Sequence, residues 1–244
     1  MESGYQSTLR PPLRRPANLA WANGRFWEVP HELGPGLRIC RVDIPADAAV
    51  PHELVGSREL ERAGRVRDAA ERGFLLGSHA VLRSVLAAAT GLSATPLELF
   101  RDEYGKPRLA DGPLRFNMSR SKSVALIGLS MAREIGVDIE IIDEVPDVEI
   151  LAREHLSPRE YEAWRRLDPA SAVPAFLQCW VRKEACIKAA GIGLAIRLDQ
   201  LDVGWVANGV PMRVGLEHRQ RLWDTLVASL PMPPGLVAAA AVVT

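Results

Sequence analysis

The residues best suited to chemistry fall in two short runs. In Gly136-Val137-Asp138-Ile139-Glu140, strand alternation would place Val137 and Ile139 on one face and both carboxylates on the other, about 7 Å apart. Two such carboxylates make half of a site for a hard cation; they also suit the solvated face of an ordinary half-buried strand. In the run from Phe176 to Lys188, helical spacing gathers Phe176, Cys179, Trp180, Cys186 and Ile187 into one apolar stripe, with Lys183 inside it and Glu184 and Lys188 along its edge. A lysine in that stripe either snorkels its ammonium to solvent or meets an anion at the end of the core. Glu184 and Lys188, four apart, suit a surface ion pair equally well. A third set is more scattered: Arg65 and Arg72 early in a long helical pattern, Gly105-Lys106-Pro107 in a turn, and Asn117-Met118-Ser119-Arg120-Ser121 just after a strand. A turn of Ser, Arg and Ser offers hydroxyls, backbone N–H groups and a guanidinium to phosphate oxygens, or is simply a solvated loop.

The elements that must position these residues read as α+β. Leu37 to Ile44 forms a strand stopped by Pro45, and Val66 to Ala89 a helix stopped by Gly91. Phe116, Val124 to Met131 and Ile135 to Ile141 read as strands, the last two joined through residues 132–134 as a hairpin. Ser157-Pro158-Arg159-Glu160 has the form of a capping box opening a helix to about Leu167, and Pro174 opens another pattern running to Ala190. Asn208-Gly209 signals a two-residue hairpin, and Leu236 to Val243 closes the sheet. The first 35 or so residues, rich in Pro, Arg and Gly, read as an irregular arm. Strands and helices without regular βαβ alternation suggest two halves meeting near residue 132.

Composition bounds the function. The chain has 244 residues, 48% of them hydrophobic, with 30 Lys plus Arg against 30 Asp plus Glu, so disordered and collagen-like classes are excluded. Zero net charge argues against a dedicated nucleic-acid binder. No apolar stretch is read as long enough to cross a bilayer, and the start of the chain lacks the apolar region of a secretory signal. A cytoplasmic protein with no membrane partner is expected. Cys40, Cys179 and Cys186 form neither an even disulfide set nor a CxxC pair and read as reduced core thiols.

Taken in order, Gly105-Lys106-Pro107, Phe116 to Ser121, Gly136 to Glu140 and Trp180 to Gly191 resemble the Sfp-type 4'-phosphopantetheinyl transferases, over roughly residues 55 to 205. That family moves the 4'-phosphopantetheine arm of coenzyme A onto a serine of an apo carrier protein, with Mg²⁺, releasing adenosine 3',5'-bisphosphate. The resemblance implies a pseudodimer of two similar α/β halves, residues 1–132 and 133–244, with coenzyme A in the cleft between them. It assigns Mg²⁺ to Asp138, Glu140 and Glu184, general-base work to Glu184, and stabilisation of the leaving phosphate to Lys188. Lys183 would face a coenzyme A phosphate, Ser119 and Arg120 would grip the 3'-phosphate or pyrophosphate, and Lys106 and Arg72 would complete the cleft. Where the family has histidine after the serine, this chain has Arg120, which keeps a phosphate donor but loses a group that titrates near neutrality. The five histidines lie outside the matched motifs and read as structural or exposed. The resemblance implies acyl, peptidyl or polyketide carrier proteins as partners, and a monomer is expected. The alternatives are a silent coenzyme A- or nucleotide-binding protein of the same fold, or an unrelated Mg²⁺-dependent nucleotide hydrolase. Intact Asp138, Glu140, Glu184 and Lys188 count against the first, and the want of a Walker-type glycine loop against the second.

Overall fold

The structure is a computed structural model and describes residues 16, 19, 26–28, 31–45, 48–95, 97–110, 112–193, 196–204 and 210–244. Its elements in order are β1 (Phe26–Glu28), β2 (Leu37–Asp43), α1 (Ser57–Gly64), α2 (Ala69–Thr90), β3 (Leu99–Arg101), β4 (Pro107–Leu109), β5 (Arg115–Ser121), β6 (Val124–Ser130), β7 (Ile135–Ile141), α3 (Val148–His155), α4 (Pro158–Trp164), α5 (Pro169–Ala190), β8 (Met212–His218), β9 (Arg221–Ser229) and β10 (Leu236–Val243). One four-stranded sheet has the order β1-β2-β6-β5, a second the order β7-β10-β9-β8, and β3 pairs with β4.

Strand alternation turns these sheets into layers. Even-numbered residues of β2 (Cys40, Val42) and odd-numbered ones of β6 (Ala125, Ile127, Leu129) pack against Val81, Leu82, Val85 and Leu86 of α2. The opposite faces, Ile39, Val124 and Leu126, meet Ile135, Val137 and Ile139 of β7 and Ala238, Ala240 and Val242 of β10. Ala239 and Ala241 of β10 then face Val181, Ala185 and Ala189 of α5. The order across the molecule is helix, sheet, sheet, helix, an α+β architecture. Helix α2 is 22 residues long and holds an 18-residue window of mean hydropathy 1.3, a length and composition that a bilayer-spanning helix shares with a buried core helix. In the fold, 61% of that stretch is buried inside the protein, as a core helix requires.

Local signals explain the helix ends. Asp68 caps α2 through the Glu71 N–H, Gly91 ends it in the left-handed region, and Ser157 and Glu160 form the complete capping box expected for α4. Three expectations change. Helix α5 starts at Pro169 behind an Asp168 cap, so Pro174 lies inside the helix instead of opening it. Val124–Ser130 and Ile135–Ile141 do not form a hairpin: β6 already has β2 and β5 on its two edges, and β7 pairs with β10. The arm contains a strand, because Phe26–Glu28 pairs antiparallel with β2. Asn208-Gly209 lies outside the described residues; the hairpin that is described joins β8 to β9 through Arg219 and Gln220, both at positive φ. All three cysteines are buried thiols outside any disulfide.

Candidate active site

The two chemical runs meet where α5 crosses β7. Gly136 makes the crossing possible: a Cβ there would lie 2.1 Å from the Ala185 carbonyl oxygen and 2.3 Å from the Ala189 nitrogen, so only glycine lets helix and strand backbones approach this closely. Gly136, Asp138 and Glu140 share the face of β7 turned toward α5. The side chains of Glu184 and Lys188, one turn apart on α5, then lie beside Asp138.

The geometry is tight. Lys188 Nζ donates to Asp138 Oδ1 at 2.5 Å and to Ser119 Oγ at 3.2 Å, and lies 4.0 Å from Glu184 Oε2. Ser119 Oγ donates to the same Asp138 oxygen at 2.6 Å, and Ser121 Oγ donates to Glu140 Oε2 at 2.7 Å. The second oxygen of Asp138 and Oε1 of Glu184 are buried with no hydrogen-bond partner. Burial raises the Glu184 pKa; the Lys188 charge opposes that rise and the charges of Asp138 and Glu140 add to it. Burial likewise raises Glu140, against the Ser121 hydrogen bond. As the side chains stand, no group of three or more His, Cys, Asp or Glu among the described residues converges to metal-holding geometry. The donor chemistry nevertheless suits a hard divalent cation, which would answer both partnerless oxygens and offset three neighbouring carboxylates.

A cavity borders this cluster, and a second opens on the α2 side of β5. One, of about 350 Å³, lies between Tyr104–Pro107 and the end of α5 and is lined by Asn117, Glu184, Ile187 and Lys188 among others. The other, of about 580 Å³, lies between the start of α2 and the β5–β6 turn and carries Arg62, Arg120 and Lys122 beside the ring of Phe74. Burial and the neighbouring Arg62 lower the Arg120 pKa, and its Nη1 donates to Ser78 Oγ at 3.3 Å. His79, on the same turn of α2, is pushed down to about 4 by burial, so it stays neutral at physiological pH.

Several sequence assignments are redrawn here. Asn117 to Ser121 lie within β5, not after a strand, and alternation sends Ser119 toward Asp138 but Arg120 toward α2. The two side chains therefore leave β5 on opposite faces, Ser119 bonded to Asp138 and Arg120 to Ser78. Lys183 does not face a cofactor cleft. Its side chain is 1% exposed, its Nζ pairs with Glu160 at 2.6 Å, and it donates to the carbonyls of His155 and Leu198, both at 2.8 Å, which uses all three protons. Lys106 lines the smaller cavity, but Glu134, the Ile135 carbonyl and the Ala189 carbonyl take its ammonium protons. Arg72 donates to the carbonyls of Val66 and Arg67 and closes the loop before α2. Arg65 sits at the end of α1, a helix absent from the sequence reading, and pairs with Glu61. Sequence reasoning missed Arg62, which is one helical turn before a second arginine and carries no other signal, and Glu160, which it read only as a capping residue.

The site is thus an acid- and lysine-lined cleft where two sheets and α5 meet. The profile of the 4'-phosphopantetheinyl transferase superfamily matches residues 134–241, which hold Asp138, Glu140, Glu184 and Lys188. Among curated proteins, the chain is 33% identical over 153 residues to the 4'-phosphopantetheinyl transferase HetI of Nostoc sp., a match covering 61% of this chain and 64% of HetI. It is 35% identical over 154 residues to the 4'-phosphopantetheinyl transferase AcpT of Salmonella typhimurium, covering 61% of this chain and 78% of AcpT. It is 32% identical over 130 residues to the 4'-phosphopantetheinyl transferase Sfp of Bacillus subtilis, covering 53% of this chain and 56% of Sfp. The chain belongs to the 4'-phosphopantetheinyl transferase superfamily, as the motifs implied.

Proposed function

We propose that this chain transfers the 4'-phosphopantetheine group of coenzyme A to a serine hydroxyl of an apo carrier protein, with Mg²⁺, releasing adenosine 3',5'-bisphosphate. The observation that carries the reading is the meeting of Asp138, Glu140, Glu184 and Lys188 with two buried carboxylate oxygens left without partners. Asp138, Glu140 and Glu184 would hold Mg²⁺, which supplies neutralising charge to a pyrophosphate.

The chain's own residues do the rest. Burial makes Glu184 a stronger proton acceptor than an exposed glutamate, fit to take the proton of the attacking serine directly or through water. Lys188 holds its ammonium beside the acids and can follow the charge that builds on the leaving phosphate. Arg62 and Arg120 line the larger cavity and can offer guanidinium groups to coenzyme A phosphates, with Glu71 on the same wall and Lys122 paired to Asp143, while the apolar wall at Phe74 and Leu75 suits a base. Ser119 acts through Asp138, and Lys106 shapes the smaller cavity without giving up its own partners.

The two halves are read as a pseudodimer divided near residue 132, with the cleft between them. In support, β2 in the first half and β7 in the second each pair with the last strand of their half, and each half packs a 22-residue helix on its sheet. One chain then supplies both walls, and a monomer suffices. A cytoplasmic setting agrees with three buried thiols and with coenzyme A as substrate. The test is intact-mass spectrometry of a panel of apo carrier proteins incubated with this protein, coenzyme A and Mg²⁺, with chelator controls. A metal-dependent gain of one phosphopantetheine group is expected; coenzyme A binding without any gain across acyl, peptidyl and polyketide carriers would favour a silent binder.

A further inference from the structure

Strand β7 has one edge paired with β10, and its other edge is met by the side chains of β5. The contacts recur every second residue. Val137 N–H donates to Asn117 Oδ1 at 2.9 Å, Ser119 Oγ donates to Asp138 Oδ1 at 2.6 Å, Ser121 Oγ donates to Glu140 Oε2 at 2.7 Å, and Ile141 N–H donates back to Ser121 Oγ at 3.3 Å. Asn117, Ser119 and Ser121 all lie on the face of β5 that looks at β7, while Met118 and Arg120 look at α2. A ladder of side chains thus takes the place of a backbone ladder along this edge.

Covering an edge needs only donors and acceptors for the backbone. This ladder does more, because two of its members also hold the acids. Ser121 is closed at both ends: its hydroxyl hydrogen goes to Glu140 and its lone pair receives the N–H of the next residue, so the carboxylate and the backbone beside it are tied to one atom. Glu140 is half-buried and would otherwise be free to swing among several rotamers. We propose that Ser121 is a positioning residue, seated with Asn117 on the first sheet, that sets the orientation of Glu140 on the second and thereby the cation affinity of the cleft. The proposal deepens the reading above and rests on Glu140 being a cation ligand.

The experiment measures Mn²⁺ binding in the presence of saturating coenzyme A, from the EPR signal of unbound Mn²⁺. Loss of an outer partner of a ligand weakens metal binding by about ten- to a hundredfold, so Ser121→Ala should fall in that range. Ser121→Thr and Ser121→Val have the same shape and differ only in the hydroxyl, which covers the case of an alanine variant that fails to fold. Thr should restore affinity to within about twofold of the parent and Val should not. In a Glu140→Gln background, Ser121→Ala should cost little more, because the group it orients is already impaired. Equal Mn²⁺ affinities for the Thr and Val variants, with Glu140→Gln weakened, would overturn the positioning role. Unchanged Mn²⁺ affinity in Glu140→Gln would instead overturn the ligand reading on which it rests.

Discussion

Two groups of buried charge lie on α5 within a turn and a half of each other, and they are built on opposite rules. Around Lys183, one carboxylate and two cations are closed on themselves. Glu160 receives the Ser157, Val203 and Gly204 N–H groups as well as Lys183, and Arg182 donates to the Val203 carbonyl and Ser229. Around Lys188, three carboxylates share one cation, and two buried oxygens stay without partners. The Lys183 cluster has its ammonium bonds complete, and an unmet buried group there would cost about 1–3 kcal/mol. The Lys188 cluster keeps like charges together and leaves two acceptors open, as the proposed cation site requires.

The comparison can be broken at each side. Glu184→Gln should lower the transfer rate by about 10²- to 10⁴-fold, read from the rate of the carrier mass shift. Its urea midpoint should hold or rise, because ionised Glu184 is a burden in the folded state as pH climbs from its ordinary 4.5 through its raised value. Near-normal turnover would remove Glu184 from the chemistry. Lys183→Met should do the reverse, costing about 3–5 kcal/mol of stability by stranding Glu160. A stable, inactive Lys183→Met protein would return that lysine to the cofactor. Gly136→Ala should cost about 1–3 kcal/mol, near the upper end because the obstructing atoms are backbone, with transfer falling as α5 is pushed from β7.

The smallest effect sharpens the electrostatic contrast. Glu134, on the loop before β7, receives Lys106, Arg108 and Arg115. Burial alone would raise it, but the Lys106 and Arg108 hydrogen bonds and charges outweigh burial and hold it below its ordinary 4.5. Its stabilising contribution is present above that value and is lost as pH falls through the lower folded value, opposite in sign to Glu184. In urea titrations at acid pH, Glu134→Gln should flatten this loss, by under about 1 kcal/mol because the carboxylate is partly exposed. An unaltered acid slope would mean that the three cations do not act on it as a group.

Much of this was legible because it is local. The caps at Ser157, Gly91 and Gly191, the strands at 37–43, 124–130 and 135–141, and the paired acids of β7 follow from neighbours a few residues apart. Pairing was harder. The short loop at residues 131–134 reads as a hairpin, yet β6 spends both edges on β2 and β5, a choice made by pairing partners up to 93 residues away. The fate of Lys183 was equally hidden, since periodicity places it in the apolar stripe but cannot show that Glu160, 23 positions earlier, is folded against it.

By itself the sequence determined most element types and, through its motifs, the family resemblance that singles out Asp138, Glu140, Glu184 and Lys188, because periodicity, capping and motif spacing are properties of the chain read in order. The tertiary structure alone decided which buried lysine is spent on the fold and which stays beside the acids, that Ser119 and Arg120 part to opposite faces, and that β5 braces the carboxylates of β7. Those outcomes depend on contacts between distant segments, and on whether each buried charge finds enough partners there to be satisfied.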